Sequence, residues 1–252
     1  MNYSLRVMLA TLLLAASPAF ASTDSEAPKQ LNWAFDGALG RFDKQSVQRG
    51  FQVYKEVCSA CHSLKRVAFR QMQDIGFSEA EVKALAASYT IKDGPNDAGE
   101  MFERPGRPSD TFPEPYANDN AGRAMNNGAL PPDMSLLVKA REDGANYIFS
   151  LLTGYSSAPE GVTVPEGAYY NPYMDGHIIK MPPPLRADAV TYQDGTKASL
   201  EQEAKDVVNF LQWAAEPEME QRKSMGLHVM LFLAAMTGFF YVVKKRIWSD
   251  LH

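Results

Sequence analysis

Five consecutive residues, Cys58-Ser59-Ala60-Cys61-His62, constrain this chain more than any other stretch, because they hold its only two cysteines. Two thiols separated by two residues can each add across one vinyl group of a haem, since a single turn reaches both. The histidine that follows at once lies where it can become the first axial ligand of the iron. The competing chemistries need what the chain lacks. A thiol–disulfide couple of the C-x-x-C kind belongs at a βαβ crossover, and no such pattern flanks the motif. A structural zinc needs four nitrogen or sulfur ligands, and beyond His62 there are only His177, His228 and His252. The reading is one covalently bound haem c.

Both ends of the chain are apolar. Residues 1–21 have a positive start at Arg6, an apolar core over 7–16 and a small-residue site at Ala19-Phe20-Ala21. That is the pattern of a secretory signal peptide. A haem domain over residues 22–225 would then fold in the periplasm. Residues 226–243 are eighteen positions without Asp, Glu, Lys or Arg. As a helix they extend about 27 Å, against a hydrocarbon core of about 30 Å, and Met225 with the stem of Lys244 covers the difference. Lys244-Lys245-Arg246 follow, which puts the tail (244–252) on the cytoplasmic side of the cell inner membrane as a single-pass anchor in contact with lipid. His228, near the outer edge of the span, reads as a polar interface residue.

The whole chain carries −5. Residues 22–243 hold 21 basic against 29 acidic side chains, hence −8. Such a surface excludes nucleic acid as a partner and suits a basic soluble protein.

Within the exported part, Val47, Gly50, Phe51, Tyr54 and Val57 share one face of a helix over 46–57 that delivers Cys58 to the haem. Gly50 costs helix stability, which suits a close helix crossing. Ser78 and Glu81 form a capping box for a short helix over 78–88. Residues 92–120 carry five prolines and show neither helical nor strand period, so a long structureless insertion is expected there. Short helices are expected over 133–141 and 145–153, with Met134 at the start of the first. The best helix is 199–215, with a second Ser–Gln capping box (Ser199, Gln202) and Leu200, Ala204, Val207, Val208, Leu211 and Ala215 on one face. The fold class is mostly α: a c-type cytochrome fold with long loop insertions plus one C-terminal transmembrane helix.

A second axial ligand decides between a reactive five-coordinate iron and a six-coordinate one suited to electron transfer. Met181 stands out because Pro182-Pro183-Pro184 follow it, and prolines hold an extended loop stiffly. A neutral thioether is a weak ligand that has to be presented, and it raises the reduction potential. His177 and Met174 are the rivals, and Met181 could instead simply pack.

These residues, with the run 122–133 (G-R-A-M-N-N-G-A-L-P-P-D), Leu151-Leu152-Thr153-Gly154-Tyr155, Met181-Pro182-Pro183-Pro184 and Trp213-Ala214-Ala215-Glu216-Pro217-Glu218, together resemble the cytochrome c1 family in its bacterial form. These are the haem subunits of ubiquinol–cytochrome c reductase. The resemblance runs through almost the whole exported chain. It implies thioether links at Cys58 and Cys61, axial ligation by His62 and Met181, and Arg123 at a haem propionate. It also implies that Pro131 or Pro132 offers the carbonyl that orients His62. Some bacterial members carry an extra disulfide before the methionine; this chain has no cysteines for one. The implied role is to pass single electrons from the Rieske iron–sulfur subunit to a soluble c-type cytochrome, beside the cytochrome b subunit of a respiratory or photosynthetic complex. The chain would not be an enzyme on its own. The alternatives are an anchored haem enzyme such as a peroxidase, or an anchored carrier for a terminal reductase or oxidase.

Overall fold

In the computed structural model, which describes residues 25–249, helix α1 (Lys44–Val53) starts at Asp43, whose carboxylate accepts from the N–H groups of Gln45 and Ser46. Its inward face is the one the spacing requires, with Val47, Gly50, Phe51 and Val53 buried. Beyond Val53 the helix loosens into one π-helical turn, Tyr54–Cys58. Such single turns recur at functional sites, because they redirect the side chains that follow. The expected signal peptide and residues 250–252 of the expected tail lie outside the described residues.

A 3₁₀ helix (Phe69–Ile75) and α2 (Glu79–Ala87) follow, then the strands β1 (Thr90–Asp93) and β2 (Phe102–Pro105). Next come α3 (Asp119–Met125), α4 (Gly144–Thr153), two-residue strands β3 (Tyr169–Tyr170) and β4 (Ile178–Ile179), α5 (Leu200–Ala215) and α6 (Met219–Ile247). The architecture is mostly helical, as the periodicity requires. α6 is the one helix among the described residues long and apolar enough to cross a membrane. It begins seven residues before the apolar run and carries straight through it.

The core is set by α1 crossing α5. A Cβ built on Gly50 would lie 1.9 Å from the backbone oxygen of Asp206, so only glycine permits this approach. Phe51, Tyr54, Phe69, Phe112, Phe210 and Trp213 are buried around the crossing, with the Phe69 and Phe112 ring centroids 4.4 Å apart. One buried charge is paired in the same place. Arg49 holds Asp206 with two bonds, Nε at 2.9 Å and Nη2 at 3.0 Å. Ser46 Oγ and Gln202 Nε2 also donate to that carboxylate, at 2.6 and 3.0 Å. A buried carboxylate needs this number of partners to offset its desolvation.

Three expectations need correction. Residues 92–120 are not structureless: β1 pairs antiparallel with β2, Thr90 opposite Pro105, and α3 forms within the same stretch. The hairpin is clamped by Arg104, which pairs with Asp93 and Asp110. Its strands are only four residues long, and Ile91 and Phe102 share a face with Asp93 and Arg104, so no clean alternation marks them. Residues 133–141 make turns rather than a helix. Their backbone bonds form no continuous ladder: Met134 N–H goes to the Ser63 carbonyl at 2.9 Å, Leu137 N–H to the Met134 carbonyl at 3.3 Å and Ala140 N–H to the Leu136 carbonyl at 3.0 Å, and Ser135 N–H goes to the Asp133 carboxylate at 3.0 Å. The box at Ser199 is half-formed, with Ser199 Oγ accepting from Gln202 N–H while the Gln202 side chain turns to Asp206. The box at Ser78 is complete.

Gly50→Ala should force α1 and α5 apart and cost about 3 kcal/mol, at the upper end for overpacking. Chemical denaturation of the purified protein measures this; a loss well under 1 kcal/mol would show that the crossing relaxes freely.

Candidate functional site

The π-helical turn ends at Cys58, and the chain folds over it. Both Cys61 N–H (3.1 Å) and His62 N–H (2.9 Å) donate to the Cys58 carbonyl, which packs the two sulfurs and the imidazole onto one turn. Tyr54, at the start of that turn, donates its hydroxyl to the His62 carbonyl at 3.2 Å. Cys58 is buried and Cys61 half-buried, and neither is in a disulfide. Burial pushes the Cys58 thiol up to about 12, with the neighbouring Cys61 adding to it. A thiol–disulfide exchanger needs the opposite, a lowered thiol, so the redox-dithiol alternative finds no support in this environment.

His62 Nδ1 lies 2.8 Å from the Pro132 carbonyl. Of the two prolines in the motif, it is therefore Pro132 that orients the ring. Nδ1 bound to a carbonyl must carry the proton, which leaves the Nε2 lone pair available to a metal. Desolvation lowers the His62 pKa against the smaller raising effect of the Pro132 bond, so the ring stays neutral, as a ligand must be.

That contact is not isolated. Asp133 Oδ2 accepts from Ser63 Oγ at 2.8 Å and from Lys65 N–H at 3.0 Å, and Arg66 N–H donates to Ser135 Oγ at 3.1 Å. Residues 62–66 and 132–135 are thus sewn together bond by bond. Burial alone would raise the Asp133 carboxyl, but hydrogen bonds from Lys65, Ser135 and Ser63 hold it below the ordinary aspartate range.

The remaining candidates are linked to this turn by a chain of contacts. The Tyr116 hydroxyl lies beside Cys61 and accepts from Asn126 Nδ2 at 2.9 Å. Asn126 caps α3, the helix that carries Arg123. Lys180 Nζ donates to the Asn127 carbonyl at 2.7 Å, which ties α3 to the segment bearing Met181. Tyr155 Oη donates to the Met181 carbonyl at 3.1 Å. The Met181 side chain packs against the hydrophobic core, while the prolines after it are largely exposed. Arg123 is exposed, with one long contact of 3.4 Å to the Gly128 carbonyl, so most of its donors face outward. Sequence reasoning had not singled out Tyr116, Tyr155 or Lys180. Tyr155 lies in a quoted motif, whereas Tyr116 falls in the stretch read as structureless.

The rivals of Met181 have different surroundings. Met174 Sδ accepts from Tyr147 Oη at 3.7 Å. His177 sits at a turn with φ +59°, its Nδ1 3.3 Å from the Pro172 carbonyl and its ring against Tyr170.

A turn offering two thiols and one oriented neutral imidazole could hold a haem c. With the apolar helix α6, the arrangement defines a class: a helical cytochrome domain on a candidate membrane anchor. Comparison with known proteins is more particular. The model of the Cytochrome C1 family matches residues 33–251. The chain is 50% identical over 236 residues to cytochrome c1 of Rhodospirillum rubrum, covering 87% of each. It is 48% identical to the cytochrome b/c1 of Bradyrhizobium diazoefficiens over 96% of this chain, and spans 39% of that longer protein. Against a mitochondrial cytochrome c1 heme protein of Arabidopsis thaliana the identity is 49%, over 87% of this chain and 71% of that one. The chain belongs to the cytochrome c1 family.

Asp133→Asn should cost about 1–3 kcal/mol at neutral pH, because a charged acceptor of several hydrogen bonds is lost. An Asp lowered in the folded state stabilises above its unfolded pKa of about 3.9, and that stability is lost as pH falls through the folded value. The variant should therefore lose less stability than the parent on acidification below about pH 4. Denaturation midpoints that fall in parallel would contradict this.

Proposed function

We propose that this chain carries one covalent haem c and passes single electrons from a Rieske iron–sulfur subunit to a soluble c-type cytochrome. It would do so beside cytochrome b in a quinol-oxidising complex, of which it would be an electron-transfer subunit rather than an enzyme in its own right. The observation that carries the reading is the Pro132 carbonyl on His62 Nδ1, on a turn whose two thiols lie one and four residues before the histidine. When bound, the haem supplies reversible one-electron exchange at its iron.

The chain's residues then have distinct tasks. Cys58 and Cys61 form the two thioethers, which hold the group without dependence on its affinity. His62 ligates through Nε2. Met181 would supply the second ligand, its backbone held by Tyr155 and stiffened by the prolines that follow. Met174 is less suited, since its sulfur already accepts from Tyr147, whereas His177 has no proline run to present it. Arg123 turns its free donors to a propionate, a bidentate fork well matched to a carboxylate. With His62 and Met181 both held in place by the fold, little of this chain would have to rearrange when the haem exchanges an electron.

Residues 1–21 would direct export and be removed, and the domain over 22–225 would lie in the periplasm. Residues 226–243 would span the inner membrane, with 244–252 in the cytoplasm. The excess of acidic side chains would steer a basic electron acceptor by long-range attraction.

Met181→Leu in the holoprotein should abolish the far-red absorption of sulfur-ligated ferric haem. It should also lower the reduction potential on the order of 0.1 V, within the roughly 0.8 V that axial ligands span. An unchanged spectrum and potential would transfer the ligand role to His177 or Met174.

A further inference from the structure

Before α1 the chain leaves the core at Phe35 and returns at Phe42. Both ends of this excursion are fixed: Trp33 and Phe35 are buried, stacked with centroids 5.4 Å apart, and Phe35 meets Phe42 at 6.2 Å. Between them Leu39 is 79% exposed. A single exposed leucine means nothing by itself. Its place relative to α6 is what gives it meaning.

The loop is tied to the base of α6 by three bonds. Phe42 N–H donates to Glu220 Oε1 at 2.8 Å. Lys223 Nζ donates to the Phe35 carbonyl at 2.6 Å and approaches the Gly40 carbonyl at 3.4 Å. Passing from Phe42 to Gly40, the partner moves from Glu220 to Lys223, one turn nearer the apolar run. Residues 36–39 lie beyond the two carbonyls held by Lys223, on the side away from the core. Lys223 itself stands three residues before Gly226, about 4.5 Å of helix rise. The apolar side chains of α6 are exposed from Met225 onward.

From this we propose that residues 36–41 form a second membrane contact, seated in the lipid headgroup layer beside α6 with Leu39 as the inserted side chain. The proposal rests on reading α6 as a membrane span. The loop suits such a site because its two ends pair their backbone internally, while the N–H groups of Gly37, Ala38 and Leu39 stay within reach of headgroup water. Asp36 N–H donates to the Trp33 carbonyl at 3.0 Å and Arg41 N–H to the Ala34 carbonyl at 2.9 Å, while Trp33 N–H donates to the Asp36 carboxylate at 3.1 Å. Polar backbone with partners can leave water at little cost. Gly40 is required for this closure, since a Cβ there would lie 2.1 Å from the Asp36 oxygen. Arg41 is exposed, and its guanidinium can meet a lipid phosphate while its stem lies along the apolar layer. A contact beside α6 would fix the tilt of the whole domain, which one helix alone leaves free to swivel.

The test uses the full chain in phospholipid vesicles, with no other subunit present. A nitroxide is attached at Leu39→Cys, at Leu233→Cys within α6, and at Ala98→Cys on the exposed loop between β1 and β2. The unsubstituted chain treated the same way gives the background. Relaxation by oxygen, which concentrates in hydrocarbon, is compared with relaxation by a water-soluble nickel chelate. The Leu39 label should meet the chelate several-fold less than the Ala98 label, at a depth shallower than Leu233. A Leu39 label as aqueous as Ala98, with Leu233 deep, overturns the proposal and leaves the anchor standing; a protein surface would then be what covers the loop. An aqueous Leu233 label would overturn the anchor and the proposal together.

Discussion

One hydrogen bond, from His62 Nδ1 to the Pro132 carbonyl at 2.8 Å, is the constraint on which the proposed site depends. It decides which nitrogen carries the proton and therefore which one can ligate. A side chain at the end of a turn could rotate away from any such partner. Here the partner segment is itself immobilised, because Asp133 takes the Ser63 hydroxyl and the Lys65 N–H while Met134 returns a bond to Ser63. Several modest bonds between two segments seventy residues apart do what one bond could not.

The turn inherits its position from the core. α1 is held against α5 by the missing side chain of Gly50 and by Arg49 on Asp206, and Tyr54 is buried beneath the same aromatic cluster before its hydroxyl reaches the His62 carbonyl. Any shift of α1 would move Cys58 and, through it, His62. In the proposed role this rigidity has a purpose, since electron transfer is faster when less of the surroundings must rearrange.

The parts legible in the sequence were those written in local chemistry. The C-x-x-C-H spacing, the Gly50 crossing, the Ser78 capping box and the apolar run of α6 each follow from residue types a few positions apart. Met181 was marked by the prolines beside it. What stayed hidden was set by partners far along the chain. The β1–β2 hairpin has four-residue strands that mix apolar and charged side chains on one face and is clamped by Arg104, so period gave no sign of it. Residues 133–141 have helical spacing, yet Met134 answers to Ser63 and Ser135 to the Asp133 carboxylate, and only separate turns follow. Tyr116 and Tyr155 owe their places near Cys61 and Met181 to folding alone, and nothing adjacent to either announces it.

The most direct measurement on the central claim is mass spectrometry of the peptide spanning residues 58–62, cut from the purified mature protein after acid denaturation. The account predicts one haem bonded through both sulfurs, retained after the fold is gone. A peptide with two free thiols or a disulfide, its haem extracted with the acid, would contradict it.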